Sequence, residues 1–243
     1  MSGAGDRVVG RVARLSRFPV KSMRGERLHE AELRWTGFRG DREYAFVFAD
    51  RLNRFPWATA RELSPMLLYA AAAHGEYGPA GLPVAVTTPD GRELALDDPA
   101  LAAELGEAMG RPVRSMQLSR GAHDSMPLSI LSTGTLQALD AARGGPVDPE
   151  RFRMNVLVDG PERDADWRGC ALRFGDGGPL VAVTRPVERC AMVTIDPQTA
   201  ERDPSLTRLV AREFGNEVGE YASVLRPGVI RAGDAVTLLP LPA

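Results

Sequence analysis

Short apolar runs, broken every few residues by glycine, proline or aspartate, recur along the whole chain. VVGRVARL near the start, YAFVF at Tyr44 to Phe48, NVLVDG, CALRFG, LVAVT, EYASVL and AVTLLP are rich in β-branched and aromatic residues and read as strands. VAVTTPDGRELAL, Val84 to Leu96, predicts a hairpin in which Asp90-Gly91 supplies the tight turn. Three segments carry helix signals instead. Asp98 can cap a helix with Pro99 in its first turn and Gly110 at its end. Ser132 can cap a second that stops at Gly144-Gly145, and Asp203, Pro204 and Gly215 frame a third.

Many short strands with few helices predict a mainly β (α+β) protein built as one or two barrels or sandwiches. The strands do not alternate regularly with helices, which argues against a doubly wound parallel sheet. GDGG at 175–178 does not complete a dinucleotide fingerprint, and no phosphate-binding P-loop, His-Glu-x-x-His or Gly-x-Ser-x-Gly motif occurs. No repeat and no low-complexity tract is present. The texture changes after Arg111-Pro112, which divides the chain into 1–111 and 112–243.

Composition narrows the chemistry. At 243 residues and 44% hydrophobic, the chain can bury a core without disulfide or metal staples. A net charge of −2 gives no reason to expect a nucleic-acid polymer as partner. Two cysteines exclude a disulfide framework and a four-cysteine cluster. MSGAGDRVVG lacks a signal-peptide core, and the longest apolar run, Met66 to Ala73, falls short of the ~20 residues a membrane span needs. A soluble, cytoplasmic protein with no membrane partner is expected. Of its 30 basic residues only one, Lys21, is lysine.

Several clusters hold candidate chemistry. In FPVKSMRGERL, Lys21, Ser22 and Arg24 crowd a turn between Pro19 and Gly25, which can form an anion cradle or a solvated hairpin loop. Asp41 and Arg42 precede the YAFVF strand and can be a surface ion pair, and Arg61 and Glu62 in TARELSPML are as easily surface as site. His123, Asp124 and Ser125 are consecutive, the wrong arrangement for a catalytic triad. Arg151, Arg153 and Asn155 alternate on the approach to NVLVDG; if the strand begins that early, they share a face suited to a phosphate or a heterocycle edge.

The two cysteines read differently. Cys170 opens an apolar strand close to Trp167 and suits a core filler. Cys190, in RPVERCAMVTIDP, follows Pro186, Glu188 and Arg189, poor company for a core. A filler, a disulfide half, a nucleophile and a metal ligand are all open to it, with the adjacent guanidinium favouring thiolate.

Taken in order, FPVKSMRG, GDREYAFV, TARELSPML, RFRMNVLV, Trp167-x-Gly-x-x-Leu172, RCAMVTIDPQTAERD and GVIRAGDAVTLL resemble the MOSC-domain proteins that carry an N-terminal β-barrel companion. This family includes the C-terminal domain of molybdenum cofactor sulfurase and the amidoxime-reducing proteins. The resemblance implies a MOSC-type β-barrel over 112–243 behind an N-terminal MOSC-associated β-barrel over 1–111. It implies a molybdenum cofactor, one molybdenum on molybdopterin, bound to the metal-ligating and catalytic Cys190. Lys21, Ser22, Arg42, Asp124, Ser125, Arg153, Asn155 and Arg189 are the implied cofactor-binding residues; apart from the resemblance, Asp124 is a candidate catalytic proton relay. A thiolate suits molybdenum held by a dithiolene, and the basic residues suit the pterin's phosphate.

The implied activity is reduction of a small N-hydroxylated substrate, a hydroxylaminopurine or an amidoxime, to the amine. A separate flavin or iron–sulfur protein is the expected electron donor, since the chain lacks the cysteines of a ferredoxin cluster. The alternative is a persulfide or cofactor carrier. The family's pyridoxal phosphate label traces to the sulfurase's aminotransferase domain, which is not expected here. Met23 stands where many relatives have cysteine after Lys-Ser.

Overall fold

The computed structural model describes residues 6–50, 56–79, 81–118 and 121–241; the first five residues of the MSGAGDRVVG stretch lie outside them. Seven strands close into a barrel: β1 (Arg7–Arg17), β2 (Leu128–Ser132), β3 (Val156–Asp159), β4 (Cys170–Phe174), β5 (Leu180–Glu188), β6 (Glu217–Arg226) and β7 (Ala235–Pro240). Their order around the wall is β3-β2-β6-β5-β4-β7-β1, and β1 pairs back onto β3 to close it. Closure leaves no unpaired barrel edge to recruit other chains. Only β2 and β3 are parallel, as the helix between them, α2 (Thr133–Arg143), requires. Trp167, Leu172, Phe174, Leu15 and Val181 fill the barrel, each fully buried, and burying such a side chain stabilises by roughly 1.5–3 kcal/mol.

The halves of the chain interleave. β1 comes from the first half yet forms part of the barrel, and Gly228–Arg231 of the second half pairs with Glu30–Arg34 of the first. The first half otherwise builds a separate β body, completed by Val113–Gln117 from beyond the 111/112 division. Tyr44–Phe48 lies between Val113–Gln117 and Trp57–Ala58, and Ala70–Ala73, Val84–Thr87 and Glu93–Ala95 form a meander. Its core of Phe46, Met66, Val86, Leu101 and Leu105 also takes in Ile195 from the second half.

The three helices start and stop where their caps predict. α1 (Pro99–Met109) is capped by Asp98, α2 by Ser132, and α3 (Pro204–Phe214) by Asp203. Gly110, Gly144 and Gly215 end them in the left-handed conformation. α2 and α3 pack outside the barrel on a third core of Leu136, Leu139, Phe152, Val187, Leu206 and Val210.

Three expectations change. The 84–96 hairpin forms, but Thr88 organises its loop: its backbone N–H donates to Arg92 O at 2.9 Å and its hydroxyl accepts from Arg92 N at 3.0 Å. Pro186 lies within a strand. β5 runs to Glu188 because its β4 partner has ended by Ala182, so the missing proline N–H leaves no ladder bond unmade on that side. Arg151, Arg153 and Asn155 do not share a strand face. Pro149–Phe152 is a 3-10 turn, Arg153 has φ 52°, and β3 begins only at Val156.

Candidate functional site

A cleft of about 280 Å3 opens where the barrel meets the N-terminal body. The first half contributes Lys21, Ser22, Arg42, Thr59 and Arg61. The second half contributes His123 and Asp124, the Arg151–Asn155 turn, the segment from Val187 to Cys190, and Tyr221. Of the residues expected at a site, all but Ser125 line this cleft; Ser125 is exposed beside it.

The chain leaves β1 at Arg17, and the N–H of Lys21 donates to Tyr44 O at 2.8 Å. This turn is not a solvated loop: Ser22 and Met23 are buried. The Lys21 ammonium donates to Ala122 O at 2.9 Å and to Asp124 Oδ1 at 2.7 Å, so the sole lysine ties the two halves together. Burial pulls its pKa below the ordinary value, against the opposing pull of Asp124. Partial burial raises the Asp124 carboxyl, but Lys21, with Arg42 and Arg61, outweighs it and holds the group below the usual range.

Asp41 and Arg42 form a buried pair, not a surface one, with Asp41 only 2% exposed. Asp41 accepts from Phe18 N at 2.7 Å and from Asn155 Nδ2 at 3.1 Å. Arg42 donates to Arg153 O at 2.9 Å and to Asn155 Oδ1 at 3.3 Å. Asn155 also accepts from Ser129 N and Oγ. Arg42 and Arg153 both lie over the Phe18 ring, at 4.8 and 4.4 Å from its centroid.

Two guanidinium groups in the cleft wall donate to backbone carbonyls and a thioether rather than to a carboxylate. Arg153 donates to Met23 O at 2.7 Å. Arg189 donates to Val218 O at 2.8 Å, Phe152 O at 3.0 Å and Met154 Sδ at 2.9 Å. Among the described residues neither makes an ion pair. Burial pulls Arg153 down to about 9 and Arg189 down to about 10, still protonated at neutral pH. Gly219, at φ +82°, makes room for Arg189: a Cβ there would lie 2.4 Å from the Met154 methyl and 3.1 Å from the guanidinium. Arg151 turns elsewhere, to Thr194 O at 3.0 Å and Asp196 Oδ2 at 2.5 Å.

Cys190 is exposed at the cleft, at the end of the segment that follows β5. Cys170 is partly buried and packs against the barrel core that holds Trp167. Both thiols are free. His123 stays neutral at pH 7, because burial and then Arg42 push its pKa down to about 4.

Five non-glycine residues among those described take positive φ, and Ser22 (68°), Arg42 (55°) and Arg153 (52°) all line this cleft. Each costs about 1–2 kcal/mol against the ordinary helical conformation. Such strain gathers at active sites and ligand clamps in folded proteins, and here three of the five positions share one cleft. Sequence reasoning missed Ser129 and Tyr221, which lie opposite one another on β2 and β6 and both line the cleft.

A closed barrel joined to a second β body, with a strained, cation-lined cleft and one exposed thiol between them, defines the class: a two-part β-barrel protein with its candidate site between the parts. Residues 117–237 match the MOSC domain and residues 9–108 match the MOSC N-terminal beta barrel domain, and the chain belongs to the MOSC family. Among curated proteins it is 35% identical over 79 residues to a molybdenum cofactor sulfurase from Anopheles gambiae, covering 31% of this chain and 10% of that protein. It is 29% identical over 131 residues to the mitochondrial amidoxime-reducing component 1 of Homo sapiens, covering 48% of this chain and 38% of that protein. The matches therefore span well under half of either relative. Among solved structures, the YUAD protein from Bacillus subtilis aligns over 96% of this chain and 97% of its own, at 15% identity and a TM-score of 0.52, a likeness of fold alone. No helix among the described residues is long and apolar enough to cross a membrane.

Proposed function

We propose that the cleft holds a molybdenum–pterin cofactor and that the protein reduces N-hydroxylated bases. The observation that carries this reading is an exposed thiol, Cys190, in the same cleft as two guanidinium groups, Arg153 and Arg189, that make no ion pair among the described residues. Among the described residues no three His, Cys, Asp or Glu side chains gather to hold a bare ion. A metal that takes Cys190 as ligand then brings its other ligands with it, and a dithiolene with a phosphate tail fits a thiolate beside unneutralised cations.

Cys190 is the protein's ligand to the metal; Lys21, Arg42, Arg153 and Arg189 answer the tail's charge, and Ser22 and Asn155 complete the wall. When bound, the cofactor supplies oxygen-atom transfer and stores two electrons. Each turnover consumes two protons and two electrons, and the N-hydroxylated base leaves as amine and water. Asp124 passes protons from solvent into the cleft, a role its 72% exposure and its hydrogen bond to Lys21 support. Electrons come from a separate flavin or iron–sulfur protein.

The exposure of Cys190 also suits a second reading, a carrier of persulfide or cofactor. Turnover separates the two. Cofactor-loaded protein is given a hydroxylaminopurine and a chemical electron donor, and wild type is compared with Cys190→Ser. Amine formed by wild type and not by the variant supports the reductase; cofactor bound without turnover supports the carrier.

A further inference from the structure

The C-terminal barrel closes on itself, but the N-terminal body keeps open strand edges, and two of them line one groove of about 580 Å3. The Val113–Gln117 strand pairs only with Tyr44–Phe48, and Glu93–Ala95 pairs only with Val84–Thr87, among the described residues. The ladders fix which groups turn outward. Leu118 N donates to Glu43 O at 2.7 Å and Ala49 N to Pro112 O at 2.9 Å, so Arg114 and Met116 bond to the neighbouring strand while Ser115 and Gln117 point their N–H and C=O away from it. In the same way, the bond from Leu96 N to Val84 O at 3.0 Å turns Glu93 and Ala95 outward. Among the described residues, the N–H and C=O of Ser115, Gln117 and Glu93 have no partner; Ala95 O accepts from Asp98 N at 3.0 Å. Two exposed carboxylates, Glu93 and Asp97, also line the groove, and neither makes an ion pair among the described residues. Its inner wall is apolar, from the buried Leu82, Val84 and Leu96. Tyr44 pins that wall by donating its hydroxyl to Leu82 O at 2.7 Å.

We propose that this groove receives an extended segment of a partner protein as an added strand beside Ser115 and Gln117, with basic side chains against Glu93 and Asp97. In such strand addition the main chain supplies affinity and the surrounding side chains set the sequence. Successive side chains of a strand point to opposite faces. The groove alternates likewise: Glu93, Ala95 and Asp97 are exposed, Leu94 is half-buried and Leu96 is buried. The segment that fits therefore alternates basic residues, facing the carboxylates, with apolar residues facing Leu82, Val84 and Leu96. A second copy of this chain is the poorer occupant, because its own edge strands, VRSMQ and ELA, carry one basic residue between them. The groove shares no described lining residue with the Cys190 cleft and does not depend on what that cleft holds.

The test titrates the full chain with a fluorescein-labelled Lys-Val-Lys-Val-Lys peptide, following anisotropy and backbone amide hydrogen exchange. Saturable binding is expected, with exchange at Ser115 and Gln117 slowed about tenfold or more. Glu93→Gln with Asp97→Asn should weaken binding about fivefold, the loss of two cross-strand charge pairs. Ser115→Pro removes a donor that the fold itself does not use, and should weaken binding about tenfold. The fully N-methylated peptide keeps its charge but cannot donate to the edge, and should also bind about tenfold more weakly. The exchange readout needs no variant, so a poorly folded Ser115→Pro protein does not spare the proposal. No saturable binding, edge amides that exchange unchanged, or equal binding of the methylated peptide, which marks charge attraction alone, overturns the proposal. So does a chain that is dimeric by ultracentrifugation with these amides already protected, since a second copy then holds the edge.

Discussion

Replacing Asn155 tests whether the cleft wall is held by one buried polar network. Asn155 is 1% exposed. Its amide donates to Ser16 O at 3.2 Å and Asp41 Oδ2 at 3.1 Å, and accepts from Ser129 N at 3.2 Å, Ser129 Oγ at 2.9 Å and Arg42 at 3.3 Å. Asn155→Ala strands the Ser129 N–H and removes the amide donor from Ser16 O. At roughly 1–3 kcal/mol for each buried group left unsatisfied, the loss is about 3–4 kcal/mol. For a chain of this size that lowers the melting temperature by roughly 10 °C. Asn155→Asp keeps the shape and the acceptor but turns an oxygen toward the Asp41 carboxylate. Two like charges at hydrogen-bond distance raise one carboxyl's pKa in the folded state above its unfolded value. The folded variant then binds the extra proton, so its stability is regained as pH falls through the raised pKa and lost as pH rises through it. Calorimetric melting at pH 7.5 and 5.5 should show both variants destabilised at pH 7.5 and only Asn155→Asp recovering at pH 5.5. A drop under 2 °C for Asn155→Ala, or an Asn155→Asp variant indifferent to pH, refutes the network.

Iodoacetamide should label Cys190 much faster than Cys170 in the native protein, since the first is exposed and the second packs on the barrel core; equal rates by mass spectrometry contradict the assigned positions. His123 should titrate near 4 by NMR rather than at its ordinary 6.5. Its folded pKa is depressed, so the stability linked to neutral His123 is intact above about 6.5 and lost as pH falls toward 4; an imidazole midpoint near 6.5 counts against a desolvated ring. Arg168 donates to both oxygens of the buried Glu220, at 3.0 and 2.6 Å. Arg168→Ala should cost about 2–3 kcal/mol by urea unfolding, since it strands a buried carboxylate whose partner is itself partly exposed. A change below 0.5 kcal/mol shows that water replaces the arginine.

The helices were legible because a cap is a local event: Asp98, Ser132 and Asp203 each bond to an N–H only two or three residues away. The barrel's closure was not, because pairing of β1 with β3 joins positions that no local pattern connects. Lys21 stood out in composition, and Cys190 through its polar neighbours, before any geometry was known. Asp41 read as surface since its partners, Phe18 N and Asn155, arrive from elsewhere in the chain. The alternation of Arg151, Arg153 and Asn155 suggested a strand face, and a 3-10 turn with a left-handed Arg153 replaced it. Left-handed Ser22, Arg42 and Arg153 carry no signal at all, because tertiary contacts, not residue preference, impose that conformation.

The central claim is that Cys190 grips a pterin-bound molybdenum in a cleft whose cations hold the cofactor's anionic end. Metal analysis of protein expressed in cells that make the cofactor tests it most directly. One molybdenum per chain in the wild type, absent from Cys190→Ala, is the predicted result. No molybdenum in the wild type, or a full complement retained in the variant, contradicts it.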